Sequence, residues 1–127
     1  MNITTIKQKI LQLDKERKVR FIFLYGSVAE QRNTPLSDID LAIYYEGNSK
    51  ERFSFRQKVL GHLPDNADTH IFQDLPLAIK KEVVRGKVLY TDDKEFLIAT
   101  CIDVIRDFEA FEKYYEMYLN KIQETIA

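Results

Sequence analysis

The chain has 127 residues, 19 Lys and Arg against 20 Asp and Glu, one Cys, no Trp and a formal charge of −1. That length suits one ordinary domain, 1–127, able to bury a core without disulfides or structural metal. The balanced charge supplies no global positive field for a long polyanion and argues against direct nucleic-acid binding. The lone Cys101 rules out an internal disulfide and reads as a small buried hydrophobe, which suits a reducing cytoplasm.

Residues 1–13 have no sustained apolar run, so neither a signal peptide nor a membrane span is expected. Ile6, Ile10 and Leu13 fall at i, i+4 and i+7, which marks a first amphipathic helix. Residues 19–25 are β-branched, aromatic and aliphatic and predict a strand that stops at Gly26. A polar loop over residues 32–36, with Pro35, separates it from a second strand at 38–45. Ser49 is the expected cap of a helix reaching about Leu60, with Phe53, Arg56 and Leu60 on one side, before Gly61 and Pro64 end it. Residues 68–72 predict a short third strand, Pro76 starts a helix that Gly86 terminates, and residues 88–90 add a short edge strand.

From residue 94 to about 125 there is neither Gly nor Pro, and Leu97, Cys101, Val104, Phe108, Phe111 and Tyr115 step by alternating fours and threes, continued by Tyr118 and Ile122. A helix of about 30 residues spans roughly 45 Å, longer than a compact domain of this size, so part of it must kink, wrap or protrude. Its first half is expected to pack on the sheet. Its second half, an aromatic cluster with polar edges, is expected either to pack or to form a surface for self-association or for a partner protein.

The chemistry concentrates at Gly26-Ser27 and Ser37-Asp38-Ile39-Asp40. Side chains two apart on a strand share a face, so Asp38 and Asp40 sit side by side, and two ionised carboxylates so placed normally need a cation between them. Hard oxygen ligands favour Mg²⁺. Gly26 lets the backbone approach a ligand, and a short helix opening at Ser27 would turn free N–H groups and a hydroxyl toward a phosphate. No Gly-Lys-Ser/Thr follows, so this is not a Walker A loop. Either half alone is common as a turn or a strand edge; the combination reads as a site for nucleoside triphosphate and metal. His70 shares a face with Asp68, where it could contact phosphate or donate a proton, and is expected rather to be a half-exposed polar residue; His62 is expected at the surface and Arg32 as a solvated loop residue.

Gly26-Ser27, then Ser37-Asp38-x-Asp40, with Ala29 and Leu41, resembles the signature of the polymerase-β-like nucleotidyltransferase superfamily. Residues 68–76 and 85–90 extend the likeness to the minimal nucleotidyltransferases encoded beside HEPN-domain toxins, the MNT or MntA antitoxins. The resemblance implies an α/β (α+β) palm fold, a small mixed sheet flanked by helices. It implies a metal triad of Asp38, Asp40 and Asp68 for two Mg²⁺ ions, with Asp68 as general base. Gly26, Ser27 and Ser37 would bind the nucleotide. It further implies transfer of AMP from ATP to a tyrosine of a cognate HEPN ribonuclease, which is thereby silenced. One departure stands out: Gln31 occupies the place of the family's second glycine, which bears on the turn beneath the triphosphate. Two other readings stay open, an aminoglycoside-type small-molecule nucleotidyltransferase and a non-catalytic module that masks its toxin.

Overall fold

The structure, a computed structural model, describes residues 1–26 and 38–126. Four strands, β1 (Val19–Tyr25), β2 (Ile39–Tyr45), β3 (Ala67–Ile71) and β4 (Lys87–Thr91), form one mixed sheet in the order β3-β2-β1-β4. β1 runs antiparallel to β2 and β4, and β2 runs parallel to β3. The parallel pair needs a crossover, and α2 (Ser49–Leu60) supplies it. The other helices are α1 (Ile3–Leu13), α3 (Leu77–Val84) and α4 (Lys94–Ile126).

Strand alternation divides the core in two. On one face Ile22, Leu24, Leu41, Ile43 and Ile71 pack against Ile6 and Ile10 of α1 and Phe55 and Val59 of α2. On the other, Phe21, Phe23, Ala42 and Phe72 pack against Val83 of α3 and Leu97 and Val104 of α4. The result is an α+β sheet with helices on both faces, as the sequence implied. Aromatic edges tighten the second layer: Phe21 meets Phe23 and Phe72 edge-on at 5.5 and 5.2 Å.

Two local expectations for α2 are corrected. Its N-cap is Asn48 rather than Ser49, because the Asn48 side chain accepts from Glu51 N while Glu51 accepts from Asn48 N, a reciprocal capping box. Its buried face is Phe55 and Val59, and Phe53 points to solvent at 62% exposure. The sheet selects the Phe55–Val59 pair, one turn apart, and leaves Phe53 outside that stripe. Strand ends shift slightly: β3 begins at Ala67, and Phe72 opens a 3₁₀ turn (Phe72–Asp74). Pro76 is the N-cap of α3 rather than its first residue.

The entry into β1 is fixed by a buried acid. Asp14 closes α1, and its carboxylate accepts from Lys18 N and Val19 N, both at 2.9 Å, across a turn in which Arg17 takes φ 55°. At the far end Gly86 passes so close to β1 that a Cβ there would collide with the Leu24 carbonyl oxygen, which lets β4 enter beside β1. Arg20 ties three segments together. Its guanidinium bonds Glu46 at 2.8 Å and Asp92 at 3.1 Å and lies 4.1 Å above the Phe96 ring, which sets the root of α4.

Asp14→Ala should strand two backbone donors, one of them buried, and lower stability by about 1–3 kcal/mol. Urea unfolding read by circular dichroism measures this, with a reduced midpoint and unchanged slope expected.

Candidate active site

The sheet register builds the site. Tyr25 pairs with Asp40 across β1 and β2, and Asp40 pairs with Asp68 across β2 and β3, so the three stand in a row on one face. They share that face with Phe21, Phe23, Ala42 and Tyr44, the layer beneath α3 and α4. A single sheet face therefore changes from aromatic core to carboxylates along the strands. Asp38, exposed, precedes the first residue of β2 and lies beyond the ladder.

The charges in this row feel one another. Asp40 is half-buried, and desolvation, then the neighbouring charges of Asp68 and Asp38, push its carboxyl above the ordinary carboxylate range. His70 opposes that rise, and Glu82 on α3 adds to it. Tyr25 is pushed up to about 12, first by burial and then by Asp40, Asp68 and Glu82. A phenol so placed keeps its proton at neutral pH and presents a donor or a neutral wall to the carboxylates.

Gly26 has φ +78°, and a Cβ built on it would lie 2.5 Å from Asp40 Oδ2. Its missing side chain thus makes room for the Asp40 carboxylate itself, as well as permitting the left-handed turn that leaves β1. Asp68 Oδ2 lies 2.8 Å from His70 Nε2, so His70, expected to be merely half-exposed and polar, is a direct partner of the third carboxylate. The His62 ring bonds the Lys58 carbonyl at the surface, as anticipated. Ser27 and Ser37, together with Ala29, Gln31 and Arg32, lie outside the described residues.

Sequence reasoning passed over Tyr25 and Glu82. Tyr25 was legible as the residue opposite Asp40 once the two strands were paired antiparallel. Glu82 carried no local signal, because only the return of α3 over the sheet brings its charge near.

The fit to a divalent cation is one of charge and donor type. Asp38, Asp40 and Asp68 offer hard oxygens, and the raised pKa of Asp40 reflects burial first and then repulsion from Asp68 and Asp38, which a bound cation would relieve. Among the described residues no three His, Cys, Asp or Glu side chains are gathered tightly enough to hold a metal. Asp68 is turned to His70, and Asp38 stands outside the ladder. The structure therefore brings Asp40 and Asp68 together and leaves the triad of the sequence reading open.

Residues 7–95 match the model of the family described as polymerase beta, nucleotidyltransferase. A protein of Methanocaldococcus jannaschii, provisionally named a protein adenylyltransferase, is 38% identical over 109 residues, 85% of this chain and 79% of the relative. Among solved structures, a toxin-antitoxin with AMP-PNP superposes with TM-score 0.72 at 18% identity, covering 96% of this chain and 99% of the other. A tri-AMPylated Shewanella oneidensis HEPN toxin in complex with MNT antitoxin gives 0.67 at 18% identity, covering 94% and 97%. At that identity the two structures establish the shared fold.

Two variants test the site. Gly26→Ala should displace the Asp40 carboxylate and weaken divalent-cation binding by about tenfold or more, measured by calorimetric titration with Mn²⁺. Asp40→Asn should melt higher than wild type at neutral pH without added metal. The sign follows from the raised folded-state pKa: protonation favours the folded state, so the stabilising contribution is complete below the ordinary value of 3.8 and is lost as pH rises through the raised one. The advantage of Asp40→Asn should accordingly vanish toward pH 3, as melting curves across the pH range would show.

Proposed function

The chain belongs to the polymerase beta nucleotidyltransferase family and is a nucleotidyltransferase; we propose that it transfers AMP from ATP to a tyrosine hydroxyl of a cognate HEPN-domain toxin, as its antitoxin. The observation that carries the transfer chemistry is the Asp40–Asp68 pairing beside Gly26 at the end of β1. The protein acceptor is supported by the named activity of the Methanocaldococcus jannaschii relative and by the AMPylated toxin in the Shewanella oneidensis complex.

Each residue has a part. Asp38, Asp40 and Asp68 would hold Mg²⁺, which when bound supplies positive charge to the triphosphate and to the transition state. Gly26 keeps the backbone low beside Asp40, so that a phosphate can approach without meeting a side chain. Ser27 and Ser37 would contribute donors to the nucleotide. Asp68 takes the proton from the attacking hydroxyl, and its bond to His70 Nε2 fixes the orientation of that carboxylate. The hydroxyl oxygen attacks the α-phosphorus in line, the bond to the β-phosphate oxygen breaks, and pyrophosphate leaves. Tyr25 closes the floor of the site as a neutral, protonated phenol.

A masking role is favoured by one observation, the open triad among the described residues. One experiment separates the readings. With ATP labelled at the α-phosphate and Mg²⁺, label should move to the toxin encoded beside this gene, and mass spectrometry should place AMP on a tyrosine. The Asp38→Asn, Asp40→Asn variant should lose about three orders of magnitude in rate, the scale of several kcal/mol of charge stabilisation. Toxin bound and inhibited with no label transferred would instead establish masking, and label on an aminoglycoside but not on protein would establish the small-molecule reading.

A further inference from the structure

The stripe that anchors α4 does not stop where the domain does. Leu97 and Val104 are buried in the second core layer, Cys101 and Phe108 are partly covered, and from Glu109 to Thr125 every residue is exposed. Phe111, Tyr115 and Tyr118 continue the same spacing at 57, 53 and 55% exposure. Written as heptads, Cys101, Phe108, Tyr115 and Ile122 occupy the a positions and Leu97, Val104, Phe111 and Tyr118 the d positions. The overhang of 17 residues is about 26 Å long, and a helix of that length is marginal in water when its apolar side faces solvent.

We propose that a second copy of this chain covers the overhang, with the two α4 helices antiparallel and crossing near Lys113. This goes beyond the transferase reading and does not depend on it. In that register Phe108 stacks in a layer with Tyr118 of the second copy, and Phe111 with Tyr115. The flanking g positions then pair Asp107 with Lys121 of the second copy, twice by symmetry, and Tyr114 with its own equivalent. At the e positions Ile105 meets Leu119 of the second copy. A notch of about 220 Å³ at the root of the overhang, lined by Leu77, Ala78, Phe108 and Phe111, lies where the incoming Tyr118 would seat.

The charges also choose the direction. A parallel pair would set Asp107 against Glu112 of the other helix, like against like, whereas the antiparallel pair sets it against Lys121. The antiparallel arrangement does bring the two Glu112 side chains together at the dyad. Each already has Lys81 of its own chain at 3.8 Å, and that Lys81 also sits 3.9 Å above the Phe108 ring. Burying the five aromatic rings from Phe108 to Tyr118 in both copies removes on the order of 1,000 Å², at roughly 100 Å² for each half-exposed ring, which reaches the lower bound of a specific interface.

Light scattering behind size exclusion, on the full chain at tens of micromolar, should give twice the monomer mass, and Tyr118→Glu should return a monomer whose domain still melts cooperatively. Asp107→Lys should weaken the dimer about tenfold, and adding Lys121→Asp should restore it. In a Cys101→Ser background Tyr114→Cys should cross-link to itself under oxidation while Tyr115→Cys should not. The Asp38→Asn, Asp40→Asn variant should dimerise like wild type, which keeps this test separate from that of the transferase. A monomer at these concentrations would sink the proposal, as would cross-linking through Tyr115→Cys, the mark of a parallel pair. So would a monomer that uses Tyr118 to bind the acceptor protein, since the occupant would then be that protein.

Discussion

The hydrogen-bonded register of three strands is the constraint from which the rest follows. Pairing Tyr25 with Asp40 and Asp40 with Asp68 puts a phenol and two carboxylates in a line across β1, β2 and β3 at the end of the sheet. Because side chains alternate strictly, a slip of one residue in β2 would send Asp40 into the layer beneath α1 and α2, among Ile6, Ile10 and Val59. Leu41 and Ile43 would turn in exchange into the layer beneath α3 and α4, where the aromatic side chains already fill the space. The same alternation that makes the core thus makes the site, and neither is available without the other. Asp14 and Gly86 matter for this reason: they set where β1 begins and how closely β4 lies against it.

Placing carboxylates on the face covered by α3 and α4 has an electrostatic cost. Asp40 is partly desolvated and lies near the charges of Asp68, Asp38 and Glu82, with His70 opposing them in its shift. In a protein selected only for stability this row would be replaced by apolar or neutral residues, since nothing in the packing needs the charge. Its retention beside an aromatic layer is the usual signature of a site whose charge is used. Tyr25 marks the border: its ring belongs to the core cluster, and its hydroxyl is held protonated first by burial and then by the carboxylates beyond it.

The features legible in sequence were those set by short-range rules. The apolar run of 19–25 marked β1, Gly26 ended it, and α4 emerged from an unbroken run without Gly or Pro; the alternation that would set Asp38 beside Asp40 does not apply, because β2 begins at Ile39. The errors came where tertiary structure decides between local alternatives. Asn48 and Ser49 are both good caps, and only the reciprocal bond with Glu51 chooses Asn48. Spacing grouped Phe53 with Arg56 and Leu60 on one side of α2, yet the face of α2 that meets the sheet is set by Phe55 and Val59. The His70–Asp68 bond was half visible, since a spacing of two puts both on one face but does not say that they touch. Glu82 was invisible, because its effect depends on the turn between β3 and α3.

α3 is the element that the two ends of the molecule share. Lys81 and Glu82 are adjacent, and a helix turns about 100° between them, so they look in different directions. Glu82 looks toward Asp40 and Tyr25 and adds negative potential to the site. Lys81 looks toward α4, over Phe108 and beside Glu112, where the covered half of that helix becomes its overhang. Val83, fully buried between them and the sheet, holds the pair in place. A short helix of eight residues therefore adds to the field at the carboxylates and meets α4 where it leaves the domain. Lys81 and Phe108 thus stand at the root of the overhang, Lys81 one residue along α3 from the charge that adds to the shift of Asp40.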